Sequence, residues 1–198
     1  MMNSTRMGIR AGLAVLLSCA LALAGAVAAG AAEAPEVSET LNFSAAMVPA
    51  GFDLDVAEAN GYTIVTNADG TQQSIPVSDD AIEFEQQLVR SAAKSRTTWV
   101  EGPCGNSWIN AVSKGNSGFI STGYVVPRPV IAKSWTVQVW GWSGLPSFSW
   151  TGPSGASWSS SWSFSGGGDF ANVLPGSNVV MNNGTVCVSG SPGENFHS

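Results

Sequence analysis

Apolar and polar residues alternate over much of the C-terminal half of the chain, a pattern typical of β-strands that bury one face. The clearest alternation covers residues 134–142 and 157–165. Shorter runs predict further strands at residues 97–101, 108–113, 119–126, 147–151, 178–181 and 185–188. Glycine, proline and asparagine separate the runs, and Asn182-Asn-Gly184 is a strong hairpin signal. Short strands at this spacing predict a mainly β domain over residues 97–198, built as a small antiparallel β-sandwich or barrel.

A different pattern, with helical periods and many acidic residues, occupies the segment before this domain. Asp53 and Gly61 bracket a short predicted helix as its N-cap and its stop. Residues 62–77 are predicted to form a hairpin, because two β-prone runs flank a set of turn residues. A second helix is predicted from Ser78 to Lys94, with acidic residues in its first turns and basic residues in its last. Together these elements predict a small acidic α+β leader over residues 33–96.

The first 32 residues are predicted to be a secretory signal peptide. Arg6 and Arg10 supply a basic start, and the uncharged run that follows ends in small residues. Cleavage after Ala32 or Ala34 fits this pattern. An uncleaved membrane anchor is the alternative, since an uncharged run of about 20 residues can cross a bilayer. The Ala/Gly-rich composition and the acidic residues that follow favour cleavage, so we expect a secreted chain with no stable membrane span.

The three cysteines divide between the signal peptide and the mature chain. Lipid attachment at Cys19 is disfavoured, because Leu17 is bulky where lipoprotein motifs place a small residue. Cys104 and Cys187 remain after cleavage, and two cysteines in an exported protein most simply form a disulfide. We therefore expect one disulfide that closes the β domain.

Charge is scarce and unevenly placed. The chain carries 14 acidic and 8 basic residues, and charged residues are only 11% of the total. Most of the acid lies before residue 102, so no basic patch points to nucleic acid, and one histidine with few cysteines argues against a zinc site. The leader fits a cap, a spacer or a pro-segment. Arg90, Lys94 and Arg96 fit either a cleavage site for a trypsin-like protease or an ordinary solvated helix end.

The strand at residues 134–142 supplies the main candidate for ligand binding. Alternation places Trp135, Val137 and Val139 on one face and Thr136, Gln138, Trp140 and Trp142 on the other. The first face is predicted to be core. The second combines flat rings with an amide and a hydroxyl, which suits stacking on the apolar face of a sugar and hydrogen bonding to its hydroxyls. Trp140, Trp142 and Gln138 are therefore the candidate ligand-binding residues, unless both faces of the strand are buried and the rings serve packing alone.

The run at residues 157–165 offers a second, weaker candidate surface. Alternation puts its tryptophans and Phe164 on one face and Ser159, Ser161, Ser163 and Ser165 on the other. Such a serine face fits hydrogen bonding to a polymer, a simple wetted surface, or the polar side of a membrane-inserting strand.

The sequence contains no recognisable catalytic motif. Beyond residue 101 the only acidic side chains are Asp169 and Glu194, and the only histidine is His197. Neither a paired-acid site nor a nucleophile with a supported base can be assigned, so no catalytic residue and no cofactor is predicted. The acidic residues that follow Asp53 lack the rest of a calcium-binding loop, and no metal site is predicted.

The signal style and the motif Cys104-Gly-Asn-Ser-Trp108 resemble those of exported proteins from high-GC Gram-positive bacteria. This resemblance covers composition and one short motif, so it implies export and no particular activity. The residues favour a secreted, non-catalytic module that binds cell-wall or extracellular polysaccharide. Two alternatives stay open: an antibacterial or membrane-active toxin with an inhibitory acidic leader, and an enzyme that takes its acidic residues from the leader.

Overall fold

A computed structural model describes residues 43–94, 103–114, 117–141, 146–165 and 168–196. Strands dominate this part of the chain, as the alternation predicts, and two helices interrupt them near its start. In chain order the elements are β1 (Phe43–Ala46), β2 (Val48–Phe52), α1 (Leu54–Ala59), β3 (Tyr62–Thr66), β4 (Gln72–Pro76), α2 (Asp79–Lys94), β5 (Asn106–Lys114), β6 (Ser117–Val125), β7 (Val130–Trp140), β8 (Ser147–Thr151), β9 (Ser157–Ser165), β10 (Phe170–Val173), β11 (Asn178–Met181), β12 (Thr185–Val188) and β13 (Gly193–Asn195).

Two antiparallel sheets form the body of the protein. The four-stranded sheet has the order β1-β5-β6-β9. The seven-stranded sheet has the order β13-β10-β7-β11-β12-β2, and β8 also pairs with β7. Strands β3 and β4 form a separate hairpin. The predicted mainly β, antiparallel character is therefore confirmed.

The two sheets share one hydrophobic core. Trp135 of β7 is fully buried and donates from Nε1 to Oγ1 of Thr122 on β6, across 3.1 Å. At another point Ser189 donates from Oγ to Oγ of Ser107, across 2.9 Å. Buried residues of both sheets pack in the same cluster. Because buried polar groups carry a large penalty when unpaired, these hydrogen bonds stabilise the contact between the sheets by satisfying the indole of Trp135 and the hydroxyl of Ser107.

The predicted disulfide is confirmed. Cys104 and Cys187 are joined with their Cα atoms 5.5 Å apart, and both are fully buried. Cys104 lies just before β5 of the four-stranded sheet, and Cys187 lies in β12 of the seven-stranded sheet. The bridge therefore ties one sheet covalently to the other.

Most elements of the predicted leader are present, with one addition. The helix after Asp53, the hairpin and the second helix appear as α1, β3–β4 and α2. Asp53 caps α1 by accepting from the Val56 N–H at 3.0 Å, and Gly61 follows the helix with a φ of 78°. The unexpected addition is residues 43–52, whose strands β1 and β2 pair with β5 and β12. This part of the predicted leader is built into both sheets of the β body.

The predicted signal peptide, the first ten residues of the predicted leader and the strand predicted at residues 97–101 lie outside the described residues. Strands β10 and β13 were not predicted, because both are short and have glycine or proline beside them. The remaining predicted strands match observed ones to within a few residues.

Helix α2 is held to the β body by an ion pair. Arg128, in the turn between β6 and β7, donates from Nη2 to Glu85 Oε2 at 2.8 Å and from Nη1 to Oε1 at 2.5 Å. The Tyr62 hydroxyl also donates to Glu85 Oε1, at 3.0 Å. The hydrogen bond from Arg128 lowers the pKa of Glu85, whereas burial, followed by the bond to Glu85, raises the pKa of Tyr62 to about 12.

Replacing Arg128 by alanine should loosen this attachment. We expect R128A to lower the free energy of unfolding at pH 7 by about 1–3 kcal/mol, the usual range for hydrogen bonds between charged groups. The folded pKa of Glu85 is lowered, so its contribution to the free energy of unfolding is complete above the unfolded pKa of about 4.3. This contribution is lost as the pH falls through the folded pKa. Urea unfolding of wild type and R128A should therefore differ at pH 7, and the difference should decrease as the pH is lowered towards about 3.

The matched control is R90A, which removes an exposed arginine from the same helix. It should leave stability within about 0.5 kcal/mol of wild type at both pH values. A difference between wild type and R128A that stays constant down to pH 3 would contradict the proposed role of Glu85.

Candidate functional site

Strand β7 separates a core face from an outer face, as its alternation predicts. Trp135, Val137 and Val139 are fully buried against the four-stranded sheet. On the outer face, Thr136 and Gln138 are half-buried and Trp140 is 41% exposed. The outer face of the seven-stranded sheet is therefore accessible at the end of β7 where the candidate tryptophan lies.

Trp140 is held in place by the neighbouring strand β10. Its Nε1 donates to Oδ1 of Asn172 across 2.7 Å. In the register between β7 and β10, Asn172 lies opposite Gln138 and Phe170 lies opposite Trp140. The bond satisfies the one polar atom of the indole and leaves carbon surface exposed to solvent, which is the arrangement that a stacking platform needs.

Short uncharged side chains surround this tryptophan. Ser149 of β8 and Thr136 of β7 share a hydrogen bond of 2.9 Å between their hydroxyls, and Ser147 of β8 lies opposite Gln138. The described outer-face residues of β7, β8 and β10 are Ser134, Thr136, Gln138, Trp140, Ser147, Ser149, Thr151, Phe170 and Asn172. None of these side chains carries a charge. We call these nine residues the tryptophan face.

A shallow hollow of about 220 Å³ opens beside Thr136. It is lined by Ser134, Thr136, Leu174, Pro175, Gly176 and Ser177. Ser177 bridges the gap between β10 and β11: its Oγ accepts from the Thr136 N–H at 3.1 Å and donates to the Thr136 carbonyl at 3.2 Å. Because this side chain replaces a missing strand residue, the sheet stays continuous while its surface carries a small polar depression.

The sequence-predicted ligand residues fall into three situations. Trp140 and Gln138 lie on the same face, two residues apart on β7. Trp142 lies outside the described residues. Asn172 and the hydroxyls of β8 were missed, because only the pairing of β7 with β8 and β10 brings them beside Trp140.

A second aromatic ring lies on the outer face of the other sheet. Trp108 of β5 lies opposite Gly123 of β6, where a Cβ would stand 2.7 Å from its ring. The indole of Trp108 therefore packs against the backbone of Gly123, in space that any side chain at this position would fill. Exposed serines of β9, including Ser159 and Ser161, continue this uncharged surface. The sequence predicted both strands, at residues 108–113 and 119–126, but not the register that sets Trp108 against Gly123.

Asp169 and Glu194 are the acidic residues that the structure describes beyond residue 102. Glu194 accepts a hydrogen bond from the Ala111 N–H of β5 at 2.5 Å, which joins β13 to the other sheet. Burial raises the pKa of Glu194, and the hydrogen bond from Ala111 partly offsets this rise. Asp169 is exposed where β10 begins, and His197 lies outside the described residues. Glu194 thus has a structural role between the sheets.

The described part of the chain meets neither the requirements of a metal site nor those of a membrane-spanning helix. Within it no group of three or more histidine, cysteine, aspartate or glutamate residues is placed to hold a metal ion. Neither of its two helices combines the length and apolar composition needed to cross a bilayer. Comparison with protein families, with curated proteins and with solved structures finds no match for this chain.

Proposed function

We propose that this protein is a secreted, non-catalytic module that binds a neutral polysaccharide of the cell wall or the surroundings through the tryptophan face. The observation that carries the proposal is the exposed ring of Trp140, anchored by Asn172 among the uncharged side chains of the tryptophan face. Trp140 is the stacking residue, Gln138 is a hydrogen-bonding residue beside it, and Trp142 is a further candidate for stacking. The disulfide supports an extracellular location.

The chemistry of this face matches that of a sugar polymer. A pyranose ring has an apolar C–H face that packs on a flat aromatic ring and an edge of hydroxyls that need hydrogen-bonding partners. Serine, threonine and amide side chains supply such partners without charge. A charged polymer would lose its hydration here with no ion pair in return, so the face favours an uncharged chain.

The two described helices of the acidic segment leave the tryptophan face open. The contacts of α1 and α2 with the β body lie at the start of β7, where Arg128 binds Glu85 and where the N–H of Asp53, the N-cap of α1, donates to the Gly184 carbonyl at 2.8 Å. Trp140 lies at the other end of β7. This strand has 11 residues, so its two ends are roughly 35 Å apart. A ligand can therefore reach Trp140 without displacement of α1 or α2.

The same segment weighs against the toxin alternative. An inhibitory leader has to leave the domain that it inhibits. Residues 43–52, however, hydrogen-bond to β5 in one sheet and to β12 in the other. Removal of such a segment would expose two strand edges and part of the core, so the binding module is the better supported reading.

Binding to insoluble polymers tests the proposal. The purified oxidised chain is mixed with cell wall, chitin or cellulose, and the protein left in the supernatant is measured over a range of polymer concentrations. Wild type should be depleted by at least one polymer. Trp140→Ala should weaken that binding by roughly 30-fold, since a central tryptophan contact contributes about 2 kcal/mol.

Phe119→Ala is the matched control, because Phe119 is 44% exposed and lies on the four-stranded sheet. It should bind like wild type. Asn172→Ala should weaken binding less than Trp140→Ala, since the ring remains but loses its anchor. Full retention of wild type in the supernatant with every polymer would overturn the proposal, and equal binding by wild type and Trp140→Ala would move the site elsewhere.

A further inference from the structure

Strand β9 ends the four-stranded sheet with a long open edge. It is nine residues long and pairs with β6 in a register without a shift. The Val126 N–H donates to the Ala156 carbonyl at 2.8 Å, so even-numbered residues of this strand point their backbone groups towards β6. The odd-numbered serines therefore direct their N–H and C=O groups outward, where no other described strand pairs with them.

The other edge strands of the two large sheets, as far as the structure describes them, are short or lie beside prolines. Strand β1 has four residues and β13 has three. Strand β2 contains Pro49, and β8 lies between Pro146 and Pro153. Natural sheets protect open edges in these ways, and also with charges and bulges. Strand β9 has no proline, glycine, charge or bulge, so it lacks every one of these protections.

We propose that β9 pairs with β9 of a second copy of this chain, antiparallel about a two-fold axis at Ser161. In that register Ser157 faces Ser165 of the second copy, Ser159 faces Ser163, and Ser161 faces itself. The outward N–H groups, which are partly positive, then meet outward carbonyls, which are partly negative, along the whole strand. About ten new backbone hydrogen bonds form, and the two four-stranded sheets become one continuous sheet.

The side chains of β9 fit this pairing on both faces. On the outer face only serine hydroxyls meet, without charge or bulk. On the inner face Trp158 would face Phe164 of the second copy, and Ser160 would face Trp162. Both tryptophans are only half-buried in the single chain, in an aromatic group with Phe148 and Trp150. Pairing would bury more of their surface, which is the usual driving force for association.

The mass of the purified oxidised chain in solution tests this inference. Light scattering after size-exclusion chromatography should give the dimer mass, with a shift towards the monomer on dilution. Ser161→Pro removes an outward N–H and spares the bonds to β6, so it should leave a folded monomer. Ser161→Lys should also be monomeric, because the two-fold axis sets the two lysines directly opposite one another.

A charge swap tests the register itself. Mixing Ser161→Lys with Ser161→Glu should restore the dimer mass, since opposite charges then meet at the axis. The matched control is Ser44→Lys, on the opposite edge of the same sheet, which should remain dimeric. Tryptophan fluorescence during urea unfolding checks that each variant is folded.

Three results would overturn the inference: a monomer at every concentration, a folded Ser161→Pro that remains dimeric, or a mixture of the lysine and glutamate variants that stays monomeric. The inference does not depend on the proposed function. The polymer assay tests the tryptophan face on the seven-stranded sheet, whereas the mass in solution tests the β9 edge of the four-stranded sheet.

Discussion

A chain that begins at residue 97 should fail to form the stable β body. It lacks β1 and β2, so the edge of β5 at residues 106–109 and the edge of β12 lose their partners. It also lacks Met47, which is 3% exposed and packs in the shared core. Removing a buried methionine side chain alone costs about 2–5 kcal/mol, which is a large part of the stability of a small domain.

The measurement is thermal unfolding followed by far-UV circular dichroism. The truncated chain should show no cooperative transition or one shifted down by tens of degrees, whereas a chain that begins at residue 39 should unfold like the longer protein. The second chain is the control, because it keeps residues 43–52 in both sheets. A cooperative transition at an unchanged midpoint in the shorter chain would show that β1 and β2 are dispensable, and would support a separable leader.

Loss of the disulfide should have the next largest effect. The bridge spans a sequence separation of 83 residues, and the chain-entropy relation then gives a stabilisation of about 4.5 kcal/mol. We expect the double variant Cys104→Ser/Cys187→Ser to be destabilised by about this amount, and to be partly unfolded at 37 °C. The serines would add to the effect, because both positions are fully buried.

Urea unfolding of the oxidised wild type, the reduced wild type and the double variant measures this effect. The free energy of unfolding of the reduced wild type should be close to that of the double variant. A reducing agent should leave the stability of the double variant itself unchanged. A stabilisation below about 1 kcal/mol would mean that strand pairing already restrains the open chain as firmly as the covalent bridge does.

Local pattern was sufficient for the strands that alternate strictly. Strand β9 matches its predicted bounds of 157–165, because a period of two over nine residues fits only an extended chain with one buried face. Strands β11 and β12 match as well, since Asn182-Asn-Gly184 specifies the turn between them. In these cases the information lies within the segment that folds.

Strands β1 and β2 could not be predicted in this way. Residues 43–52 mix alanine, glycine and proline with isolated apolar residues, and most of their side chains are exposed. They are extended because β5 and β12 offer partners far along the chain. Tertiary pairing, which no local window contains, decides their conformation.

The candidate site shows the same division. Alternation correctly separates Trp140 from the buried Trp135. The side chain that holds Trp140, however, is Asn172 on β10. This strand has only four residues, which is too short for its alternation to predict a strand. A sequence can therefore predict which face a tryptophan takes, whereas the side chains that orient the ring depend on strand register.

The position of residues 43–52 also determines when this fold can be completed. The segment is made early, yet β2 pairs with Thr185–Val188, close to the end of the chain. During synthesis, β2 must wait without a partner until nearly every other described strand exists. Contacts so distant in sequence slow folding and prolong the exposure of open edges. The pairing of β2 with β12 is therefore among the last steps of folding. The rate of this step determines how long the nascent protein stays vulnerable to proteases and aggregation.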